Sequence, residues 1–186
     1  MLDVAIRYQD QLVDEFRKIW FKEKYKFWNG TNYFQEWTPS DNTYEEHQFV
    51  SVNTLYNRVI GYVSYCINHF DGDIAYDLNI INFEAEPSMT FAMDLGRALT
   101  DIFEKYNFRK LNFYVVVGNP AEKAYDKMIK KYGGRVVGYR RENTRLFDGK
   151  YYDEKLYEVM REDYFRKKET RKRIRERRSR SNADDK

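Results

Sequence analysis

The sequence predicts an α+β (mixed α/β) fold: a central, mostly antiparallel twisted sheet with one parallel strand pair and helices on its flanks. Three observations predict it. Three β-rich runs, at 48–56, 58–70 and 74–83, follow one another across short turn signals, as an antiparallel meander does. A helix–strand–helix passage over 88–132 then interrupts them. Two further β-rich runs close the pattern around Asp148-Gly149, so antiparallel strands frame one crossover unit.

The elements follow in order. From Asp3 to about Lys26 the apolar residues Val4, Ile6, Leu12, Phe16, Ile19 and Trp20 recur at roughly helical spacing among charges, which predicts one or two helices. Asn29-Gly30 ends that region, and residues 31–46 are aromatic and irregular. The runs QFVSVNTLY and RVIGYVSYCINHF meet near Tyr56-Asn57-Arg58. Asp71-Gly72-Asp73 favours the positive backbone angles of a hairpin turn, which suits it better than a metal site. IAYDLNIINF is the third strand. Pro87-Ser88 opens a helix, with Ser88 as N-cap and an apolar stripe of Phe91, Leu95, Ala98, Leu99, Ile102 and Phe103. LNFYVVVG reads as a strand buried on both faces. Pro120–Tyr132 is a helix, with proline in its first turn and Gly133-Gly134 past its end. A right-handed crossover makes the strand at 74–83 parallel to that at 111–117. The Ser88 helix then begins beside the carboxyl ends of those strands, where open α/β sheets bind ligands.

Composition narrows the classes. The chain has 186 residues, enough for one domain with a real core. We expect that domain over 1–165, with a basic helical or disordered tail over 166–186. The tail segment RKKETRKRIRERRSR, 166–180, holds ten basic and two acidic residues, so the remainder is mildly acidic although the net charge is +3. Such a block is a solvated extension or a site for RNA or an acidic partner. No run is apolar enough to span a membrane, the N-terminal MLDVAIRYQDQ is too polar for a signal peptide, and a single Cys66 gives no disulfide framework. These features lead us to expect a cytoplasmic protein. His47 and His69 lack companion ligands at zinc spacing, so no metal is expected.

The strand ending in Asn119 with its following helix, the run GGRVVGYRREN, and the pair LFDGKYYDEKLYEVMRED together resemble the GNAT superfamily of acetyl-coenzyme A-dependent N-acetyltransferases. The closest likeness is to the branch that includes ribosomal-protein N-terminal acetyltransferases. The resemblance covers about residues 48–165. It implies acetyl-CoA as cofactor and a primary amine, a protein N-terminus among the candidates, as acceptor; the alternative is a catalytically degenerate module that binds RNA or a protein partner through its basic tail. It also implies a backbone N–H near Ile81 to Phe83 that holds the thioester carbonyl. The pyrophosphate would sit where Phe83–Phe91 leads into the helix, against Ser88, Met89, Thr90 and Phe91. That stretch is degenerate: it lacks the family's glycines and carries Glu84 and Glu86. Asn119 matches a cofactor-contacting asparagine, or else caps the helix. Tyr125 matches the residue that protonates the departing thiolate, or else packs the helix; the family tyrosine sits one position later, where this chain has Asp126. Glu84 or Asp77 would act as general base, unless both are simply solvated. Tyr33, Phe34, Trp37 and Tyr44 fall in the family's acceptor-recognition segment, and either line an acceptor pocket or pack as ordinary aromatic core.

Overall fold

A computed structural model describes residues 1–20, 22–28 and 37–184. The elements are β1 (Leu2–Val4), α1 (Gln9–Ile19), β2 (Glu46–Asn53), β3 (Arg58–Asn68), β4 (Ile74–Asn82), α2 (Met89–Glu104), β5 (Lys110–Val116), α3 (Glu122–Tyr132), β6 (Arg135–Arg145), β7 (Tyr151–Met160) and α4 (Arg161–Asp184). Among the described residues seven strands form one sheet in the order β1-β2-β3-β4-β5-β7-β6. Every neighbouring pair is antiparallel except β4 and β5, which run parallel. The α+β class and its one parallel pair are therefore as the sequence predicts.

Local chemistry accounts for the turns and caps. Gly72 and Asp73 take positive φ of 84° and 54° between β3 and β4, and Arg109 donates to the carbonyls of Asp71 and Gly72. Ser88 caps α2, its hydroxyl accepting from the Phe91 N–H at 3.3 Å. Gly133 ends α3 at φ 83°; a Cβ there would lie 2.7 Å from the Asp163 carbonyl oxygen.

The strands alternate between two cores, as their period of two requires. One lies beneath α2 and α3 and joins Leu99, Ile102 and Phe103 to Tyr65, Leu111 and Phe113. The other lies beneath α1 and joins Leu12, Phe16 and Ile19 to Val50, Val59 and Tyr62. Tyr164, in the first turn of α4, also enters the α2–α3 core and stacks on Phe103 at 4.8 Å.

Two expectations are corrected. Leu2–Val4, expected as helix from Asp3, is a strand paired with β2; three residues are too few for their period to be read against the helical spacing that follows. β5 was expected to be buried on both faces, but Leu111, Phe113 and Val115 are buried while Lys110, Asn112 and Tyr114 are only half-buried. Among the described residues its second face is only partly covered.

Gly61 of β3 lies directly beneath the start of α2, where a Cβ would sit 2.3 Å from the Phe91 ring. Overpacking of this kind costs roughly 1–3 kcal/mol. We expect Gly61→Ala to lower unfolding stability by that amount in urea titration; an unchanged midpoint would contradict the packing described.

Candidate active site

The site begins with one extra residue. In the β3–β4 ladder, Ser64 pairs with Asn79 and Cys66 with Tyr76, so Asp77 and Leu78 together oppose the single residue Tyr65. Asp77 takes φ 53° at this bulge, a conformation that aspartate tolerates better than most residues. A bulge bends its strand. β4 and β5 accordingly pair only from Ile74↔Lys110 to Tyr76↔Asn112, although both strands continue beyond.

The strands separate past that point and leave a gap. On the α2–α3 side it opens into an apolar groove of about 520 Å³ between the two helices. On the α1 side it opens into a smaller recess of about 80 Å³, lined by Phe27, Trp28, Asp77, Asn79, Tyr114 and Asn119. Ile80 and Tyr125 line both spaces. The Tyr25 hydroxyl donates to the Asn82 carbonyl at 3.1 Å and the Trp28 indole N–H to Asn79 Oδ1 at 3.1 Å, which fixes the recess wall against β4.

Backbone direction decides which N–H groups face the gap. The Phe83 N–H donates to the Ile60 carbonyl at 3.0 Å, so the register that pairs Ile81 with Tyr62 turns the Ile81 N–H toward β3 as well. The N–H groups turned toward the gap are those of Ile80 and Asn82. The side chains of Ile81 and Phe83 lie on the α1 side: Ile81 is buried in that core, and Phe83 meets Phe16 edge-on at 5.4 Å.

At the start of α2 the capping bond occupies the Phe91 N–H, and the Ala92 N–H donates to the Ser88 carbonyl. Met89 and Thr90 retain N–H groups without an intrahelical acceptor, as the first residues of a helix do. The Phe91 side chain is buried against β3, while Met89 projects into solvent.

On α3 the structure resolves which residue faces the gap. Asp126 points toward β7, where the Lys155 ammonium donates to it at 2.7 Å and the Tyr157 hydroxyl at 2.8 Å. Those hydrogen bonds hold the Asp126 carboxyl below its usual range. Tyr125 points inward, edge-on to Phe113 at 5.7 Å. Burial pushes its phenol up to about 12, and no described residue hydrogen-bonds its hydroxyl.

The other sequence-derived residues separate into groups. Asn119 borders the recess, but its side-chain oxygen accepts the Ala121 N–H at 2.9 Å, an Asx turn that leads into α3. Glu84 is ion-paired with Arg58 and its N–H donates to Asn82 Oδ1. Asp77 is exposed as a residue, yet water is scarce around its carboxyl; that desolvation, then the nearby Glu154 carboxylate, raises its pKa above the usual range. Trp37 packs edge-on to Phe16 at 4.6 Å and Tyr62 at 5.7 Å, so it belongs to the α1 core. Tyr44 stacks on His69 at 4.1 Å. Tyr33 and Phe34 lie outside the described residues. Among the described residues no cluster of His, Cys, Asp and Glu is arranged to hold a metal ion, and no helix is long and apolar enough to cross a membrane.

Sequence reasoning missed Ile80 and the recess residues Phe27, Trp28 and Tyr114; Asn82 lies inside the stretch Ile81 to Phe83 that it named. One signal was available for the bulge that exposes them: an aspartate in the middle of β4, a position where aspartate is depleted.

No family model matches the sequence, and neither does any curated protein. Solved structures do match. A spermidine/spermine N-acetyltransferase from Vibrio cholerae, in complex with manganese ions, is 26% identical over 67% of this chain and 71% of its own, with a TM-score of 0.56. A chimera of the Vibrio cholerae spermidine N-acetyltransferase SpeG and hSSAT is 24% identical over 89% of this chain and 98% of its own, with a TM-score of 0.65. A GCN5-related N-acetyltransferase from Brucella melitensis covers 90% of this chain and 78% of its own at 11% identity, with a TM-score of 0.63. With its bulged β4, its one parallel pair and the gap beyond it, the chain has the fold of the GNAT N-acetyltransferases.

Proposed function

We propose that the protein is an acyl-CoA-dependent N-acetyltransferase that acts on a primary amine. The observation that carries this reading is the gap between β4 and β5, which joins an apolar groove on one face of the sheet to a polar, aromatic recess on the other. A long thioester and an amine can approach each other through such an opening from opposite sides.

The residues present fit acetyl-CoA. The groove has the volume of a ligand site, and Ile80 and Asn82, whose N–H groups turn toward the gap, line it. When bound, the cofactor supplies an acetyl group activated as a thioester. The Ile80 and Asn82 N–H groups, fixed by the sheet before any ligand arrives, are placed to stabilise negative charge on a carbonyl oxygen in the gap. Asp77 borders the recess, and its raised pKa makes it a better base than an ordinary carboxylate for relieving an ammonium of its proton. Tyr125 keeps its proton throughout the physiological range. With a pKa near 12 it is a weaker acid than a free phenol, so its contribution is a hydrogen bond donated toward sulfur as charge builds there, with proton transfer late.

The amine is assigned only as a class, with protein N-termini inside it. That two of the solved neighbours are spermidine N-acetyltransferases supports small polyamines as the first acceptors to assay. A second reading keeps the fold without catalysis, as a module that binds RNA or an acidic protein. The run of like charges along α4 supports it, since ten of the fifteen residues at 166–180 are basic.

Calorimetric titration with acetyl-CoA separates the two readings. We expect saturable binding; none at high micromolar concentration would overturn the enzyme reading and favour the module. In the active enzyme, Tyr125→Phe should lower kcat by about 10²-fold with KM little changed, and unchanged turnover would remove Tyr125 from its role. The same residue has a pH signature. Its folded pKa near 12 exceeds the ordinary 10.0, so its protonated phenol contributes stability that is fully present below pH 10 and lost as pH rises toward 12. Denaturant titrations between pH 10 and 12 should show a shallower decline for Tyr125→Phe than for the parent chain, and parallel declines would contradict the burial.

A further inference from the structure

The turn that leads into α2 is poorly equipped for phosphates. Phe83–Phe91 contains no glycine to ease close approach of its backbone to an anion, and Glu84 and Glu86 bring negative charge. The first-turn N–H groups of Phe91 and Ala92 are already engaged, by the Ser88 hydroxyl oxygen and the Ser88 carbonyl. The wall across the groove has the opposite character. Lys127 and Lys131 stand one turn apart on α3 and both border the groove, which no acidic residue lines. The two carboxylates on their own helix, Glu122 and Asp126, are both held by Lys155. Neither Lys127 nor Lys131 forms an ion pair among the described residues; Lys131 only overhangs the Tyr132 ring at 5.3 Å.

Two uncompensated ammonium groups beside an apolar channel form a site for an anion that carries a long, less polar arm. Residues four apart on a helix have Cβ atoms about 5–6 Å from each other, so both lysines can serve one polyphosphate. Building on the acetyl-CoA reading above, we propose that the phosphates of the cofactor's nucleotide are held mainly by Lys127 and Lys131 of α3, from the wall opposite the turn that precedes α2. Lysine acts there as a mobile point charge, so no glycine-rich turn is needed to bring backbone to the anion.

Calorimetric titration at low and high salt tests this with two probes: acetyl-CoA, and S-acetylpantetheine, which lacks every phosphate. A double variant, Lys127→Ala with Lys131→Ala, should bind acetyl-CoA at least about tenfold more weakly at low salt, and the difference should shrink at high salt. Its affinity for S-acetylpantetheine should match that of the parent chain. A control with the same charge change on the same helix, Lys123→Ala with Lys130→Ala, should leave both affinities unchanged, and thermal melts check that both variants fold. Equal acetyl-CoA affinity in the parent and the Lys127/Lys131 variant would overturn the proposal, as would an equal loss in the control. If the parent chain bound no acetyl-CoA, the cofactor reading itself would fall and this inference with it.

Discussion

The structure depends on the bulge at Asp77. Without the extra residue there, β4 would continue its parallel ladder with β5 to the end of both strands, and the sheet would close. The opposing residue in β3, Tyr65, is fully buried, so the ladder cannot absorb the mismatch by slipping locally. Slipping by one register would turn Ile80 and Ile81 to the wrong faces, exposing one core while crowding the other. β4 therefore has to bend away from β5, and the gap follows. It turns the N–H groups of Ile80 and Asn82 toward open space and leaves one face of β5 half-covered.

What borders the gap is set by charges arranged elsewhere. Lys155, on the helix-facing side of β7, draws Glu122 and Asp126 outward from α3. That fixes the rotation of the helix about its axis, so that Tyr125 faces the gap while Lys127 and Lys131 border the groove. The ion cluster and the groove are two consequences of one helix orientation. Removing both α3 carboxylates from the groove also leaves it without negative charge, which suits an anionic ligand on that side. The α1 side has the reverse character, with Asp77 among Phe27, Trp28 and Tyr114, and suits a cation. The two sides of the sheet thus carry complementary charge for the two reactants proposed.

Much of this was legible in the sequence wherever local chemistry decides. Asp71-Gly72, Ser88, Gly133 and Asp148-Gly149 each mark a turn or cap through a requirement of their own backbone, and the element order and the parallel pair followed from them. The inward-facing Tyr125 was legible only through resemblance; its register against Asp126 needed Lys155, which lies 29 positions away in sequence. The placement of the gap was not legible. A bulge changes the alternation of every residue after it, and nothing local to Ile81 or Phe83 reveals that their N–H groups turn to β3. Trp37 was equally ambiguous, since an aromatic residue in an irregular segment has the same local signature in a pocket wall as in the α1 core. An apolar run such as β5 carries no record of how fully each of its faces is covered.

In the mechanism proposed, the gap between β4 and β5 is where the acyl group is received. Backbone amide chemical shifts of the isotopically labelled protein, followed during titration with acetyl-CoA, test it most directly. The largest changes are expected at Ile80 and Asn82, together with Tyr125 on the facing helix. Saturable changes confined to β1, β6 or the far end of α4, with Ile80 and Asn82 unmoved, would contradict it.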